Sequence, residues 1–376
     1  MNAGPRVAER ILILGGGGMV GVQVAREVAR KLAPEAIILS ALTEAEVEEA
    51  ITTLRTESER EGWDVRFVPE AGDIFIPQEL QGKTRKELLS SRELFDRLFE
   101  DIYSSNPDAW KDSALFALID RHRPDVVVDC INTATAISYQ DVFTTSRKVK
   151  VMLDRLEDEK TIRPEDLGPL VASLRELIIA QGVPQITRHI LYLHRSLTAS
   201  SVRVYVKVGT TGTGGMGVNI PYTHSEDKPS ATLLSKSAIG FAHTGLLFLL
   251  ARTPGLQGED GEGRAPMIKE IKPGAMIGFK RLGLTHVKVP GPDDSRRPGI
   301  LLEPREEPLG ESIDPRDRIR PYGPLEGVEI PIRIVGADTG ENGFFSIGEF
   351  QAITYPRQME YVTPEEVART VALEIL

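Results

Sequence analysis

Residues 11–30 read ILILGGGGMVGVQVAREVAR, and this stretch decides the fold. An apolar run of strand length meets four glycines and then an amphipathic helical pattern. Gly16, Gly18 and Gly21 form GxGxxG, while Gly15, Gly18 and Gly21 form GxxGxxG. Glycines between a strand and a helix let the backbone approach a pyrophosphate at the positive end of that helix. The stretch predicts a dinucleotide-binding turn; the alternative is a tight strand-to-helix turn without a ligand.

A second apolar run, 36–39, follows at the spacing of a strand–helix–strand unit and ends at Ser40. The Asp or Glu that would hold the ribose 2′-hydroxyl of NAD is absent there. Because a carboxylate would repel the 2′-phosphate of NADP, its absence favours NADP. Two other interpretations stay open: Glu44 supplies the carboxylate from the loop, or Ser40 only caps a helix that begins near Thr43.

The chain beyond this point predicts a doubly wound, mostly parallel α/β sheet. Further strands are predicted over 64–69, 125–129 and 202–208. Between the first two of these, a charged segment at 82–111 has helical period and predicts a helical insertion. A long helical stretch is predicted over 140–197, with breaks near Pro164, Gly168 and Gly182.

Composition narrows the class of protein. The 376 residues include 45 Lys and Arg against 55 Asp and Glu, a net charge of −10, which argues against nucleic-acid binding. The single cysteine, Cys130, excludes an intramolecular disulfide and a Cys-rich zinc site, and favours a reducing, cytoplasmic location. No apolar stretch approaches the roughly 20 residues that cross a bilayer. We therefore expect a cytoplasmic protein without a metal site that binds a small molecule, not nucleic acid or a membrane.

Six segments in the same order resemble the extended short-chain dehydrogenase/reductase superfamily, which includes sugar-nucleotide epimerases and dehydratases. They are GGGGMVG (15–21), AGDIF (71–75), RPDVVVDCINTAT (123–135), LLSKSAIGFAH (233–243), IKPGAMIGF (271–279) and YVTPEEVARTVALEIL (361–376). The likeness extends over most of the chain. It implies a Rossmann domain that binds NADP or NAD, and a homo-oligomer, commonly a dimer.

The resemblance also implies which residues contact the cofactor. They comprise the phosphate turn, the adenine-contacting pair, the loop after the fourth strand, the family lysine and the later proline-containing segment. These positions are Gly15, Gly16, Gly18, Met19, Val20, Gly21, Ser40, Asp73, Ile74, Asn132, Thr133, Ala134, Lys236, Pro273, Gly274 and Ala275.

Catalysis in the resembling family uses a tyrosine four residues before the lysine, whose ammonium lowers the pKa of the phenol. Lys236 is present, but Thr232 stands at the tyrosine position. An aliphatic hydroxyl is a poor proton donor at neutral pH. Three alternatives remain: Tyr222 supplies the phenol, a histidine such as His224 or His243 acts as acid/base, or redox chemistry is lost.

The segment after the fifth predicted strand contains another literal GxGxxG, at Gly212, Gly214 and Gly217. No helical pattern follows it, so a second dinucleotide site is rejected. The family places its catalytic serine or threonine here, which assigns that role to Thr210 or Thr211. The segment is then an active-site loop; the alternative is a glycine hairpin without a ligand.

These observations predict two regions. Residues 1–253 form the NAD(P)-binding Rossmann domain, and residues 254–376 form a smaller, discontinuous substrate lobe whose C-terminal elements partly return to the Rossmann core. The expected function is a NAD(P)-dependent oxidoreductase, epimerase or dehydratase acting on a small hydroxyl- or carbonyl-bearing polar substrate. The alternative is a dinucleotide-binding regulatory or scaffold protein that no longer catalyses.

Overall fold

A computed structural model describes ten stretches of the chain. They are residues 8–132, 142–159, 164–209, 231–252, 266–271, 278–288, 301–306, 329–338, 344–346 and 363–376. The chain divides into two compact units. The first comprises residues 1–214, 228–273 and 364–376, and the second comprises 215–227 and 274–363.

The first unit is built on a parallel sheet of six strands. These are β1 (Arg10–Leu14), β2 (Ala36–Ala41), β3 (Arg66–Ala71), β4 (Val126–Asp129), β5 (Val204–Val208) and β6 (Met267–Ile271). Their order is β3-β2-β1-β4-β5-β6, with every neighbouring pair parallel. This is the Rossmann order, and it confirms the predicted doubly wound fold. The order reverses between β1 and β4, where such sheets open a crevice at the strands' carboxyl ends.

Ten helices accompany the strands in the described part of the chain. They are α1 (Met19–Leu32), α2 (Glu44–Glu61), α3 (Arg85–Ser90), α4 (Arg92–Tyr103), α5 (Ala114–His122), α6 (Val142–Glu159), α7 (Pro164–Ile179), α8 (Gly182–Ala199), α9 (Ala231–Arg252) and α10 (Pro364–Ile375). Short 3₁₀ turns span Gln78–Leu80 and Ala109–Asp112. The helix break predicted near Gly168 is wrong, because α7 continues through both Gly168 and Pro169. None of the described helices is both long enough and apolar enough to cross a bilayer.

The interior strands are buried along their length. Ile11, Leu12, Ile13 and Leu14 of β1 are fully inaccessible, and all six residues of β2 are buried. Helices that cover both faces of a parallel sheet leave no face for polar residues, which explains why these strands read as continuous apolar runs. The glycine turn after β1 is thus attached to a fully buried strand.

Thr43, and not Ser40, caps α2. Thr43 Oγ1 accepts from Glu46 N and the Glu46 carboxylate accepts from Thr43 N, both at 3.3 Å, which is a capping box. Ser40 lies inside β2 and is 4% exposed. The interpretation of Ser40 as the helix cap is wrong, because the strand continues for one residue beyond it.

The predicted insertion at 82–111 is helical, with α3 and α4 as its two helices. Its apolar side chains form a hydrophobic cluster distinct from the main core, at Leu80, Leu88, Phe95, Leu98 and Ile179. Ile179 comes from the end of α7, so the insertion is packed against the β4–β5 crossover. We call the segment from Ile76 to Asp112 the excursion.

The second unit contains an antiparallel sheet. Its strands are β7 (Gly278–Lys288), β8 (Leu301–Glu306), β9 (Glu329–Asp338) and β10 (Phe344–Ser346), in the order β10-β9-β7-β8. The register of β7 shifts after Leu284 against both of its neighbours. Helix α10, which follows this unit in sequence, belongs to the first unit and packs against α1, β5 and β6.

Candidate functional site

The glycine turn joins β1 to α1 at the switch point of the sheet. Gly15 adopts a φ of +73°, a conformation that favours glycine. Gly16 N donates to the Ser40 carbonyl at 2.8 Å, and Gly18 N donates to the Gly15 carbonyl at 3.1 Å. Gly18 is the N-cap residue of α1. These bonds fix the turn against the end of β2.

Two of the glycines are required by close packing. A Cβ on Gly21 would lie 2.3 Å from the Gly15 carbonyl oxygen, and one on Gly16 would lie 2.8 Å from Leu39 Cβ. Gly18 differs, because a Cβ there would meet only the Gly15 oxygen, at 3.4 Å. Gly16 and Gly21 therefore let strand and helix approach, while Gly18 leaves the outer side of the turn open.

The open side of the turn forms part of a cavity of about 520 Å³. This is within the size range of small-molecule sites. The elements that line it form two sets. The near half comprises the glycine turn, the ends of β2, β3 and β4 and the start of α2, and the far half comprises Phe75, the excursion that follows it, α7 and α8. The near half is lined by Gly15, Gly17, Gly18, Ser40, Ala41, Leu42, Glu46, Gly72, Asp73, Ile74, Cys130 and Ile131. The far half is lined by Phe75, Ile76, Lys83, Arg85, Leu88, Leu89, Leu98, Ile102, Ile179, Gln185 and Arg188.

The near half presents the N-terminus of α1. The first amides of a helix have no acceptor within it, and the helix dipole makes this end positive. Gly18 offers no side-chain cap, and the first turn of α1 has no acidic residue. The turn can therefore accept a phosphate, and its glycines leave room for one.

The loop after β3 is held in one conformation beside the turn. The Asp73 carboxylate accepts from Phe75 N at 2.8 Å, while the Gln81 side chain accepts from Asp73 N at 3.0 Å and donates to Asp73 O at 2.6 Å. Burial raises the pKa of Asp73 despite these contacts and the nearby Arg188. Ile74 is 5% exposed and belongs to the main core. The loop thus offers a fixed wall to whatever the turn binds.

A second group of polar side chains lies where β4 and β5 end, sealed from solvent. Asp129, Tyr205 and Lys207 are each at most 3% exposed. The Tyr205 hydroxyl donates to Asp129 Oδ2 at 2.6 Å, and Lys207 Nζ donates to Asp129 Oδ1 at 2.9 Å. Lys207 Nζ also donates to the Ile131 carbonyl at 2.6 Å, and Ile131 N donates to Asp129 Oδ1 at 2.9 Å. The ion pair therefore holds the backbone of Ile131, a residue of the cavity wall, at two points.

Two histidines complete this group, which we call the buried network: Asp129, His189, Tyr205, Lys207 and His243. His243 Nε2 lies 3.2 Å from the Tyr205 hydroxyl and 3.9 Å from Asp129 Oδ2. The His189 ring packs against His243, with ring centroids 5.3 Å apart. Neither nitrogen of His189 has a hydrogen-bond partner within the described residues. His243, one of the acid/base alternatives, is thus enclosed by protein and is not among the residues lining the cavity.

Burial and the central ion pair set the protonation of the buried network. Burial by itself raises the pKa of Asp129, but Lys207, His243 and the Tyr205 hydroxyl outweigh it and hold that pKa below its ordinary value. Burial, reinforced by Asp129, raises the pKa of Tyr205 well above 10.0. Burial and Lys207 lower the pKa of His243 well below 6.5, and burial lowers the pKa of His189 to about 3. At neutral pH the carboxylate is charged, while the phenol and both imidazoles are neutral.

Cys130 lies between the two groups and lines the cavity. Burial, together with the Asp129 charge, raises the pKa of its thiol to about 12. The thiol is therefore protonated at neutral pH and is a poor nucleophile.

The structure brings five of the predicted cofactor residues to one cavity: Gly15, Gly18, Ser40, Asp73 and Ile74. Gly16, Met19, Val20 and Gly21 belong to the same turn and helix start, and Asn132 follows β4. Thr133, Ala134, Thr210, Thr211, Tyr222, His224, Pro273, Gly274 and Ala275 lie outside the described residues. Thr232 and Lys236 belong to α9, with side chains outside the description.

Sequence reasoning missed the polar residues that form hydrogen bonds and ion pairs in the interior. They are Arg188 and the network residues Asp129, Tyr205 and Lys207. A signal existed in residues 204–208, VYVKV, because a lysine within an apolar strand needs a buried partner. The alternation of a strand also places Tyr205 and Lys207 on one face. Within the described residues, no group of three His, Cys, Asp or Glu is arranged to hold a metal.

Comparison with known proteins gives one family match. The model of the β-methylindole-3-pyruvate reductase C-terminal domain matches residues 304–376. No curated protein matches the chain significantly.

Solved structures give distant likenesses. A short-chain dehydrogenase/reductase from Serratia marcescens is 11% identical over 71% of this chain and 74% of that chain, with a TM-score of 0.33. One from Vibrio parahaemolyticus is 15% identical over 71% and 79%, with a TM-score of 0.29. A substituted form of actinorhodin polyketide ketoreductase with NADPH is 13% identical over 100% and 92%, with a TM-score of 0.36. The matched model is named for the C-terminal domain of a reductase and covers residues 304–376. The fold assignment rests on the observed strand order.

Proposed function

We propose that the protein is a NAD(P)-dependent oxidoreductase of the short-chain dehydrogenase type. The observation that carries this proposal is the glycine turn, which lies at the switch point of a Rossmann sheet with its open side on a cavity. The tight packing of Gly16 and Gly21 fits a diphosphate cradle, since it brings the first turn of α1 up to the end of β1. The bound nicotinamide would supply or accept the hydride.

The chain's own residues would hold the two ends of the cofactor differently. The amides of Met19 and Val20 would bind the diphosphate, and Asp73 and Ile74 would line the adenine side. The carboxyl end of β2 carries Ser40, which leaves NADP or NAD as the cofactor. Glu44, the alternative source of a carboxylate for the ribose, is absent from the cavity lining, whereas Glu46 of the same helix lines it.

Carbonyl reduction is the direction we propose. The family matching residues 304–376 is named for the reduction of β-methylindole-3-pyruvate, an aromatic 2-oxo acid. We therefore extend the expected substrate, a small hydroxyl- or carbonyl-bearing molecule, to 2-oxo acids with an aromatic side chain. We also propose that part of residues 254–376 forms the substrate lobe.

Proton transfer requires a group in place of the family tyrosine. We propose that Tyr222 supplies the phenol, Lys236 holds the nicotinamide ribose, and Thr210 or Thr211 polarises the substrate oxygen. Thr232 is the further catalytic candidate, because it stands at the family's tyrosine position. The enclosure of His243 makes that histidine the weaker alternative, because a general acid must reach the proton it donates.

The test is reduction of indole-3-pyruvate and of phenylpyruvate with NADPH or NADH. The reaction is monitored by the loss of absorbance of the reduced nicotinamide. We expect turnover with at least one pair. Lys236→Ala and Tyr222→Phe should each lower kcat/KM by at least 100-fold (about 3 kcal/mol), while Tyr103→Phe, an exposed tyrosine of α4, should leave it unchanged. Nucleotide binding without turnover of any carbonyl would overturn the enzyme assignment and support a dinucleotide-binding regulator, which Thr232 at the tyrosine position favours.

A further inference from the structure

The cavity extends beyond the residues that a dinucleotide-binding turn requires. The glycine turn and the Asp73–Ile74 pair account for the near half, yet the cavity continues along the excursion to α7 and α8. Its chemistry also changes along the way, since the far half combines aliphatic walls with three cationic side chains.

Arg188 is the central polar residue of this far half. Its side chain is 4% exposed, and its Nη2 lies 2.8 Å and 3.0 Å from the two carboxylate oxygens of Asp101. The central carbon of its guanidinium lies 4.2 Å from the centroid of the Tyr192 ring. Its Nε and Nη1 have no hydrogen-bond partner among the described residues. Buried donors in folded proteins are almost always satisfied, so two unpartnered nitrogens on a residue that lines the cavity mark a position where an acceptor can bind.

The unpartnered donors of Arg188 and the cations that line the same half favour an anion as that acceptor. Lys83 and Arg85, both exposed, line the same half, whereas the acids that line the whole cavity are Glu46 and Asp73. The cavity lining therefore holds three cations and two acids, while the Asp101 carboxylate, outside the lining, pairs with Arg188 through Nη2 alone. A guanidinium presents its N–H groups in a planar fork that matches carboxylate or phosphate oxygens.

The rest of the far half is apolar. Leu88, Leu98 and Ile179 are buried members of the excursion cluster, and Ile76, Leu89 and Ile102 pack against it. A ligand that fits must place an oxyanion at Arg188 and an apolar or aromatic body against these aliphatic side chains.

We propose that the far half of the cavity is an oxyanion-binding subsite in which Arg188 Nε and Nη1 hold a carboxylate or phosphate carried on an apolar or aromatic body. The same chemistry has two sources: the 2′-phosphate of an adenosine moiety, or the carboxylate of a separate aromatic acid. Binding here does not depend on hydride transfer, so the subsite stands or falls separately from the enzymatic activity.

Two ligand pairs that differ by a single anionic group distinguish these sources. Calorimetric titrations of the full chain would compare adenosine 2′,5′-bisphosphate with adenosine 5′-monophosphate, and indole-3-acetate with indole-3-acetamide. The subsite predicts that in at least one pair the ligand with the extra anion binds at least 10-fold tighter (about 1.4 kcal/mol). The first pair identifies a cofactor phosphate as the occupant, and the second identifies an aromatic acid.

Variants then assign the preference to Arg188. Arg188→Lys keeps a cation for Asp101 but removes the fork, and the charge-balanced Arg188→Gln/Asp101→Asn double variant removes both charges. Each should weaken the preferred anion by about 10- to 100-fold, as expected for loss of a charge-assisted hydrogen bond, and leave its matched partner unchanged. Arg195→Lys, on the exposed side of the same helix, is the control and should change neither.

Two outcomes would overturn the subsite. One is that neither anion is preferred over its partner by the wild-type protein. The other is that Arg188→Lys, with thermal unfolding like that of the wild type, keeps the full preference. If the double variant fails to fold, Arg188→Lys decides alone.

Discussion

Two polar regions lie at the carboxyl ends of the strands: the cavity beside the glycine turn that follows β1, and the buried network at the ends of β4 and β5. They are built in different ways. The cavity beside the glycine turn has unpartnered nitrogens on Arg188 and an open side at Gly18, where α1 begins. The buried network also has unpartnered nitrogens, on His189 and His243, but it is enclosed by protein, and its charged pair of Asp129 and Lys207 is joined directly. The first arrangement is suited to a ligand, and the second to holding the chain.

Ile131 connects the two regions. Its backbone accepts from Lys207 and donates to Asp129, and it also lines the cavity. A Cβ on Gly15 would lie 3.1 Å from Ile131 N, so the glycine turn and the β4 loop are in near contact. We infer that the closed region fixes one wall of the open one. If so, damage to the network should affect both folding and binding, whereas damage to the cavity should affect binding alone.

The largest effect is expected from Lys207→Met. This change leaves the buried Asp129 carboxylate without its cation, and breaking one partner of a buried pair lowers the free energy of unfolding by about 3–5 kcal/mol. The double variant Asp129→Asn/Lys207→Met removes both charges and should recover most of this loss. Urea unfolding measures both values.

Nucleotide binding separates the two roles of Lys207. The double variant still lacks the donor to the Ile131 carbonyl, so its affinity for the nucleotide should stay below that of the wild type although its stability returns. Equal stability of the single and double variants would contradict the ion-pair account. Wild-type affinity in the double variant would contradict the link through Ile131.

Gly21→Ala and Gly18→Ala form a matched pair in the glycine turn. The new methyl at position 21 would lie 2.3 Å from the Gly15 oxygen, and such overpacking lowers the free energy of unfolding by about 1–3 kcal/mol or more. The methyl at position 18 makes an ordinary 3.4 Å contact, and alanine is only a poorer N-cap than glycine, so stability should fall less than in Gly21→Ala while nucleotide affinity falls. Thermal unfolding and calorimetry test the two effects. Equal stability of the two variants would show that Gly21 is not a packing glycine.

Acid should destabilise the closed region through His189. Its pKa is about 3 in the folded protein against 6.5 when unperturbed, so below pH 6.5 the unfolded chain takes up a proton that the folded state excludes. The free energy of unfolding therefore decreases as the pH is lowered, by about 2 kcal/mol between pH 6.5 and pH 5 from this group alone. His189→Phe removes this titration but leaves that of His243, so it should reduce the slope measured by denaturant unfolding at several pH values. An unchanged slope would contradict the assignment.

Cys130 offers the smallest and simplest measurement. With a pKa of about 12, its thiol should react slowly with iodoacetamide at pH 7.5 in the folded protein and quickly in urea. Because it is the only cysteine in the chain, intact mass reports its modification directly. Rapid alkylation of the folded protein would show that the thiolate is accessible and that the region around Asp129 is more open than described.

The parts predicted from sequence are those with local signals. The strand, glycines and helix of residues 11–30 are adjacent in the chain, and the β1–α1 turn forms there as predicted. Strand bounds shifted by about two residues, as at β3, which runs from Arg66 to Ala71 instead of over 64–69. Apolar runs report burial well but mark the ends of a strand poorly, because the flanking residues also tolerate extended backbone.

The buried polar contacts could not be predicted in the same way. Lys207 and Asp129 are 78 residues apart, and Arg188 and Asp101 are 87 apart. Periodicity indicates that such residues are on an inward face, but only the tertiary fold selects their partners. The misassigned Ser40 cap shows the opposite case, in which two nearby candidates, Ser40 and Thr43, differ by where a strand ends.

The most direct test of the account is calorimetric titration of the full-length protein with NADPH and with NADH, alongside Gly18→Ala. The account predicts saturable uptake of at least one nucleotide at one per chain, and weaker uptake by the variant, which should remain folded at the temperature of the titration. No uptake of either nucleotide by folded wild-type protein would contradict it.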